Sequence, residues 1–316
     1  MKKGLALIGV VIFFFVLIIY LFIPATVSFS KNSSVRVPKR GLHRSLFDQN
    51  QWPRWWPGKA DPKNNHFFYK GYSYSIEDEK IDGLNISINN ISTAPVSSFL
   101  EIRPGNNDSL LLVWKGGYSS SMNPFKRLKQ YFSFGTTEEN IDSVFGSLQA
   151  FYSQRKNIYG WDIRHELVRD SNLVSTSALS KEYPSTQFIY GLIDQLRIYI
   201  KKQSAEETDF PMLNIITKDS TGNYITKVAI PVNRKLSSSG NISYKWMFGG
   251  GNILVTEVAG GSNDIMKAFH EVENYVSDRG FVAPAIPFLS LVTDRTKEPD
   301  STKWVTRIYY PIMDFR

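Results

Sequence analysis

The sequence predicts an α+β protein with an N-terminal transmembrane helix followed by two strand-rich domains. Three observations lead to this fold class. Residues 5–23 form an uncharged apolar run, and residues 25–157 contain strand-like segments followed by an amphipathic helix. In residues 160–316 a β-α-β-β pattern occurs twice, which predicts two pseudo-symmetric repeats in one antiparallel sheet with the helices on one face. We therefore expect an anchor at residues 1–24 and two domains after it.

The composition excludes several classes of protein. Of the 316 residues, 42% are hydrophobic and 21% are charged, which excludes a disordered chain. Cysteine is absent, so disulfides, thiolate metal sites and a cysteine nucleophile are excluded. The four histidines lie far apart, and we expect neither a metal nor a cofactor. The formal charge of +8 is spread over a long chain without an RNA-binding signature, so we expect no nucleic-acid partner.

The first apolar run predicts a membrane anchor. Residues 5–23 carry no charge and are closed by Pro24. As a helix they would measure roughly 28 Å, close to the hydrocarbon core of a bilayer. A cleaved signal peptide is the alternative, but the run is longer than the usual apolar core of such a peptide. We predict a single-pass protein of the cell membrane. Basic residues on both flanks favour a cytoplasmic location for the part of the chain that follows the anchor. A location on the periplasmic or external side is the open alternative.

Residues 25–157 predict antiparallel strands closed by a helix. The aromatic and proline-rich segment 46–58 must contain a turn. Apolar residues recur at helical spacing from Ile141 to Phe151, and Thr137 or Asn140 could cap this helix. The strand candidates are 25–35, 71–76, 84–91, 97–102 and 109–114.

This order of elements resembles the START-like (SRPBCC) helix-grip scaffold, whose members often have a Trp-x-x-Trp cluster after the first helices. Trp52 and Trp55 match that cluster. The resemblance implies a cup closed by its last helix, with an apolar cavity. Two interpretations of Trp52, Trp55 and Trp56 are open. They could line a lipid-binding mouth or lie near the membrane interface, or they could anchor a turn by aromatic packing, which we favour.

The carboxy-terminal half contains an internal repeat. Pro211 opens the apolar strand 210–217, and Pro287, which lies 76 positions later, opens the apolar strand 286–293. The agreement extends over several elements, so chance is a poor explanation. The opening strand, the amphipathic helix and the closing strand fall at 173–179, 189–200 and 224–232 in the first copy and at 253–258, 265–276 and 304–312 in the second.

The doubled unit, the Ile-Pro pair before the second apolar strand and the closing strand 306–312 resemble the gyrase-inhibitor-like (GyrI-like) effector-binding domain. The resemblance covers about residues 160–316 and implies a small-molecule cleft between the two halves, lined by aromatic side chains. A glutamate commonly lies two residues before the aromatic residue of the closing strand in that family, where it meets cationic or polar ligands. Arg307 takes that position here and Lys227 its counterpart, which argues against a cationic ligand and against hydrolysis.

Alternation along the closing strand places Arg307 and Tyr309 on one face and Trp304 on the other. Two cations beside aromatic walls favour a ligand that carries a carboxylate or a phosphate. The alternative is that both cations are solvated and pair with acids such as Glu257 or Glu271. The candidate ligand-binding residues are Arg307, Tyr309, Trp304, Lys227, Tyr224 and Phe288.

These patterns predict a membrane-anchored protein that binds or senses a small molecule, with an anionic or amphipathic ligand in the groove of the repeat domain. The alternative is a hydrolase or isomerase that uses the same groove. The chain has no G-x-S-x-G motif and no carboxylate pair with acid-base spacing, so no catalytic residue is assigned. Its glycine-rich stretches do not match a phosphate-binding loop either.

Overall fold

The computed structural model describes residues 2–90, 95–106, 109–216 and 222–314, without the side chains of residues 2–6 and 9. The chain divides into two compact units, Met1–Gln154 and Arg155–Arg316. Each unit contains one antiparallel sheet. Residues 91 and 217, the last residues of two predicted strands, lie outside the described residues.

The predicted transmembrane anchor is wrong, and with it the single-pass membrane location and that part of the fold class. Within the described residues, no helix combines the length and the apolar character that a membrane crossing requires. Helix α1 (Lys2–Phe22) contains most of the apolar run, but its end packs on the protein. Ile19 is only 4% exposed, and the guanidinium of Arg127 lies 4.7 Å from the ring centroid of Tyr20. The last turn of the run is therefore used for contacts within the first unit.

The first unit has a seven-stranded sheet in the order β1-β7-β6-β5-β4-β3-β2. The first strand pairs with the last, so β1 and β2, which follow each other in the chain, form the two edges of the sheet. Its strands are β1 (Thr26–Val35), β2 (Lys59–Asp61), β3 (His66–Tyr69), β4 (Tyr72–Lys80), β5 (Gly83–Asn90), β6 (Val96–Pro104) and β7 (Leu110–Ser119). Its further helices are α2 (Lys39–Leu46) and α3 (Pro124–Tyr152).

Helix α3 begins earlier than the sequence indicated. The side chain of Asn123 caps it by accepting hydrogen bonds from the backbone N–H groups of Phe125 and Lys126, each at 3.1 Å, and Pro124 fills the first position. The apolar period that predicted a start near Thr137 covers only the buried second half of the helix. The first half has weaker periodicity, and its cap is a better indicator of the helix start.

The tryptophans after α2 form the centre of the first core, as the aromatic-packing interpretation proposed. Trp52 is fully buried and donates from its indole to the carbonyl of Leu46 at 2.8 Å. Its ring centroid lies 4.7 Å from that of Trp55 and 4.4 Å from that of Phe67. A cavity between α3 and the sheet, lined by Tyr72 among others, measures about 10 Å³, which is barely the space of one water.

The second unit has an eight-stranded sheet in the order β12-β9-β11-β10-β14-β15-β13-β8. Its strands are β8 (Arg164–Leu167), β9 (Ser171–Ser180), β10 (Met212–Ile216), β11 (Tyr224–Val232), β12 (Ser243–Met247), β13 (Asn252–Ala259), β14 (Phe288–Leu291) and β15 (Val305–Ile312). Its helices are α4 (Arg155–Tyr159), α5 (Thr186–Lys202) and α6 (Ser262–Arg279).

Two copies of a strand-helix-strand-strand unit make up most of this sheet. The first is β9-α5-β10-β11 and the second is β13-α6-β14-β15. They meet where β10 pairs with β14, so the strand order is symmetric about that pair. Fully buried side chains such as Ile230 and Ile308 pack under α5 and α6, respectively. The side chains between them, including Arg307 and Lys227, point to the opposite face.

Two short connections require the second sheet to be strongly curved. Leu167 and Ser171 are four positions apart, which allows roughly 14 Å. Their strands, β8 and β9, are six positions apart in the sheet, which would be roughly 29 Å in a flat sheet. The connection from β12 to β13 runs from Met247 to Asn252 and also joins strands that are six positions apart in the sheet. Side chains from distant strands, such as Leu173 of β9 and Ile253 of β13, line one cavity on the face opposite the helices, so this face is the concave one.

Candidate functional site

Helices α5 and α6 frame a cleft of about 400 Å³ on the helix side of the second sheet. Its floor is apolar and comes from the two central strands, with Leu213 from β10 and Leu289 from β14. Ile189 and Ile265 supply the helical walls. The volume and the apolar lining are those of a small-molecule site.

Arg295 lies at one end of this cleft. Its guanidinium carbon is 4.7 Å from the ring centroid of Trp304, and its Nη2 donates to Oγ1 of Thr306 at 3.0 Å. Its Nε is buried without a hydrogen-bond partner. No carboxylate among the described residues pairs with Arg295, and the neighbouring Asp294 pairs instead with Lys297 at 3.4 Å. Arg295 is thus a largely buried cation that lacks an anion.

Tyr190 of α5 holds the segment that carries Arg295. Its hydroxyl accepts a hydrogen bond from the backbone N–H of Arg295 at 2.8 Å and donates to the carbonyl of Thr293 at 3.2 Å. The hydroxyl of Thr293 in turn accepts from the backbone N–H of Val305 at 2.9 Å. The backbone of the segment that carries the Arg295 guanidinium is therefore hydrogen-bonded to α5, and the side chain of Thr293 in the same segment is hydrogen-bonded to β15.

Burial dominates the electrostatics of this end of the cleft. It lowers the pKa of Arg295 and raises the pKa of both Tyr183 and Tyr190. Because the pKa of an arginine starts far above neutral pH, Arg295 stays charged and its burial costs free energy. An anionic group beside it would offset that cost.

Several side chains of α6 along the edge of the cleft are exposed. Met266 is 66% exposed there, and Phe269 lies beside it on the same helix. His270 and Glu273 form an exposed pair at 3.7 Å. A ligand could enter between these side chains without moving the sheet.

The sequence-predicted site residues divide between the two faces of the sheet. Trp304 lies on the helix side beneath Arg295. Tyr224 is also on that side and contacts Tyr183, with ring centroids 5.6 Å apart. Phe288 borders both this cleft and the concave face.

Arg307, Tyr309 and Lys227 line the concave face instead. The Nε of Arg307 is 2.9 Å from a carboxylate oxygen of Glu257 on the neighbouring strand, the pairing that the alternative interpretation named. This contact raises the pKa of Arg307. Lys227 lies on β11, three strands from β15, and the two cations line different cavities of this face.

Sequence reasoning missed Arg295. It lies in an irregular segment that follows β14. A sequence pattern predicts the face on which a side chain lies only within a strand or a helix, so it could not predict the orientation of this arginine. Its one local signal is its place directly after the Thr293-Asp294 pair that ends the second apolar strand. Within the described ranges, no cluster of three or more histidine, aspartate or glutamate side chains could hold a metal ion.

His165 gives a prediction about the pH dependence of stability. Burial, followed by the charges of Arg155 and Arg279, lowers its pKa, and its Nε2 lies 2.8 Å from the hydroxyl of Tyr275. The unfolded chain, with a histidine pKa of about 6.5, then binds the proton more readily than the folded one. We expect the urea midpoint to fall as the pH drops below about 6.5 and through the lowered pKa. The fall in urea midpoint with decreasing pH should be smaller in His165→Gln. An equal dependence of the urea midpoint on pH in the wild type and the variant would contradict this prediction.

No family model matches the chain, and no curated protein matches it. Several solved structures do. The EcmrR C-terminal domain is 16% identical, with a TM-score of 0.42, over 49% of this chain and 98% of that one. A hydrolase encoded by lin2189 from Listeria innocua is 11% identical, with a TM-score of 0.36, over 52% and 98%. SAV2435 bound to tetraphenylphosphonium is 14% identical, with a TM-score of 0.32, over 48% and 94%.

A structure of an EcmrR–DNA complex is also similar, at 16% identity and a TM-score of 0.43, over 60% of this chain and 70% of that one. The expected absence of a nucleic-acid partner stays a prediction. The START-like resemblance of the first unit stays a prediction as well.

Proposed function

We propose that the second unit binds a small organic acid in the cleft between α5 and α6, with the carboxylate of the acid on Arg295. The observation that carries this proposal is a guanidinium that is largely buried, has an unpaired Nε and meets no carboxylate among the described residues. An unpaired buried charge is costly, whereas a charge-assisted bidentate contact is among the strongest hydrogen-bonded pairs.

The walls of the cleft select the rest of the ligand. Apolar side chains from both repeats line it, and its volume of about 400 Å³ suits a compact ring or a short branched chain. Tyr183 lines the cleft beside the cationic end, where its ring can stack on a planar acid. We therefore favour an aromatic or branched carboxylic acid over a long-chain one.

The charge of the site sets it apart from a receptor for cations. SAV2435 is described as bound to tetraphenylphosphonium, a large cation. In the present chain such a cation would lie beside Arg295 and be repelled. An acid-binding module would act as a sensor or carrier of its ligand.

Titration calorimetry with three probes that share one skeleton tests this proposal. The probes are 4-phenylbutyrate, its neutral amide and the cationic 4-phenylbutylamine. We expect the acid to bind at least about tenfold more tightly than the amide, since a hydrogen bond to a charged group contributes about 1.5–3 kcal/mol. The amine should bind most weakly. Arg295→Gln should reduce the difference between acid and amide to less than about twofold.

Arg197→Gln is the matched control, because Arg197 lies on α5 and is paired with Glu207 at 3.1 Å. It should keep the preference for the acid. A wild-type protein that binds the acid and the amide equally, or an Arg295→Gln variant that keeps the preference, would refute the acid site.

A further inference from the structure

Strand β1 forms a long open edge of the first sheet. It has ten residues and pairs only with β7 among the described strands. The other edge strands of the two sheets, β2, β8 and β12, have three, four and five residues. A short edge strand limits pairing with other chains, and β1 does not have this protection.

The backbone groups on the free side of β1 belong to its even-numbered residues. The backbone N–H of Ser120 donates to the carbonyl of Ala25 at 2.8 Å, and the same register continues along β1. Because successive residues of a strand direct their backbone groups to opposite sides, the odd-numbered residues bond to β7. The amide of Gln149 on α3 donates to the carbonyl of Ser34 at 3.3 Å, as expected for a carbonyl that β7 leaves free. The exposed residues whose backbone groups point away from β7 are Thr26, Ser28, Ser30, Asn32 and Ser34.

Strand β1 also lacks the other features that keep an edge strand from pairing. It contains no proline, and over the described pairs its register with β7 has no shift, whereas that of β4 with β5 has one. Phe29 contacts Phe134 of α3, with ring centroids 5.7 Å apart, so the odd-numbered side chains face that helix. The one charged residue of β1, Lys31, therefore points to α3, where it pairs with Asp142 at 2.8 Å. Such an edge can accept a further strand.

Helix α3 places three acidic side chains beside this edge. Two of them, Glu138 and Glu139, lie about one helical turn before the third, Asp142. All three raise the pKa of Lys31, mainly through the hydrogen bond from its ammonium group to Asp142. Among the described residues, neither Glu138 nor Glu139 forms a salt bridge. The α3 side of the edge therefore has an excess of negative charge.

The opposite face of the edge has no such excess. The side chains that β1 contributes to it are serine, threonine or asparagine. On the neighbouring strand, Lys115 lies opposite Ser30 in the register and pairs with Glu101 at 3.3 Å. Charge therefore selects a partner only on the α3 side.

From this geometry we infer that β1 binds an extended basic segment of another protein, which adds one strand to the first sheet. Backbone hydrogen bonds to the even-numbered residues of β1 supply the pairing. Basic side chains at alternate positions of the added strand lie on the α3 side, where Glu138, Glu139 and Asp142 attract them. A second copy of this chain fits less well, because two-fold pairing of β1 with itself would bring two acidic surfaces together. This site belongs to the first unit and does not depend on the acid site at Arg295.

Fluorescence anisotropy of a labelled peptide, titrated with the full chain at low salt, tests the inference. The peptide alternates lysine and threonine and is as long as residues 28–34. Ser30→Pro removes a backbone donor from the free edge and leaves the hydrogen bonds to β7 intact, so we expect it to weaken binding at least tenfold. Ser30→Ala keeps that donor and should change binding less than twofold. If Ser30→Pro does not fold, Asn32→Pro on the same side of β1 replaces it.

Two methylated peptides separate strand pairing from charge alone. When the lysines face α3, the backbone N–H groups of the threonines face β1. N-methylation of the threonines should therefore weaken binding at least tenfold, and N-methylation of the lysines should change it less than twofold. Equal binding of the two methylated peptides would show adhesion by charge without strand pairing and would overturn the inference.

The acidic side is tested with the double variant Glu138→Gln/Glu139→Gln, which should weaken peptide binding at least fivefold. Glu77→Gln/Glu79→Gln removes the same charge from an exposed part of β4 and should change binding less than twofold. Unchanged binding in Glu138→Gln/Glu139→Gln overturns the inference. A dimer of the full chain that Ser30→Pro dissociates, seen by sedimentation, would assign the edge to a second copy and overturn it as well. Either result leaves the acid site of the second unit intact.

Discussion

Trp52→Ala is expected to destabilise the first unit by about 3–5 kcal/mol, as large-to-small changes of buried aromatic residues do. Trp52 is fully buried and its ring lies against those of Trp55, Trp56 and Phe67. The change also removes the donor to the carbonyl of Leu46, which would remain buried without a partner. Urea unfolding followed by circular dichroism should show an earlier transition for this unit.

Trp246→Ala is the comparison for this change. Trp246 is 55% exposed, so its removal should alter the free energy of unfolding by less than about 1 kcal/mol. A small loss for Trp52→Ala, similar to that for Trp246→Ala, would show that the tryptophan cluster does not stabilise the first unit.

Arg295→Met is expected to stabilise the second unit by about 1 kcal/mol while it weakens acid binding about 10- to 100-fold. Methionine removes a buried charge that has no counter-ion but keeps an apolar side chain against Trp304. The lost hydrogen bond to Thr306 and the lost cation–π contact reduce the gain in stability. A gain in stability with a loss of binding is typical of residues retained for function.

Thermal unfolding and calorimetry with 4-phenylbutyrate measure the two effects in the same preparation. In the wild type, added 4-phenylbutyrate should raise the melting temperature, and in Arg295→Met the same concentration should have little effect. If the variant is strongly destabilised instead, Arg295 has a structural role, and the proposed acid site loses its main support.

The repeat in the second half illustrates how far local patterns reach. Apolar spacing in α5 and α6 and the proline-led strands β10 and β14 are local features, since each depends on residues within one element. The strands β8 and β12 were not predicted. They are short edge strands, and the burial pattern of β8 is exposed throughout, so no alternation reveals it.

The predicted transmembrane helix shows that composition alone does not determine the surroundings of an apolar helix. An uncharged run specifies a helix, but whether its side chains meet lipid or protein depends on other segments. Tyr20 donates to the carbonyl of Met122, a residue about a hundred positions away. Nothing in the run itself indicates that contact.

By itself, the sequence determined the strand-helix-strand-strand order of both repeats, the offset between them and the alternation that separates Arg307 from Trp304, because backbone periodicity is a local property. The tertiary structure decided the chemistry of the sites. Pairing of β13 with β15 brought Glu257 to Arg307, and the anchoring of an irregular segment by Tyr190 brought Arg295 over Trp304 at the end of the cleft. Contacts between distant segments set the net charge and burial of a site, and no local pattern encodes them.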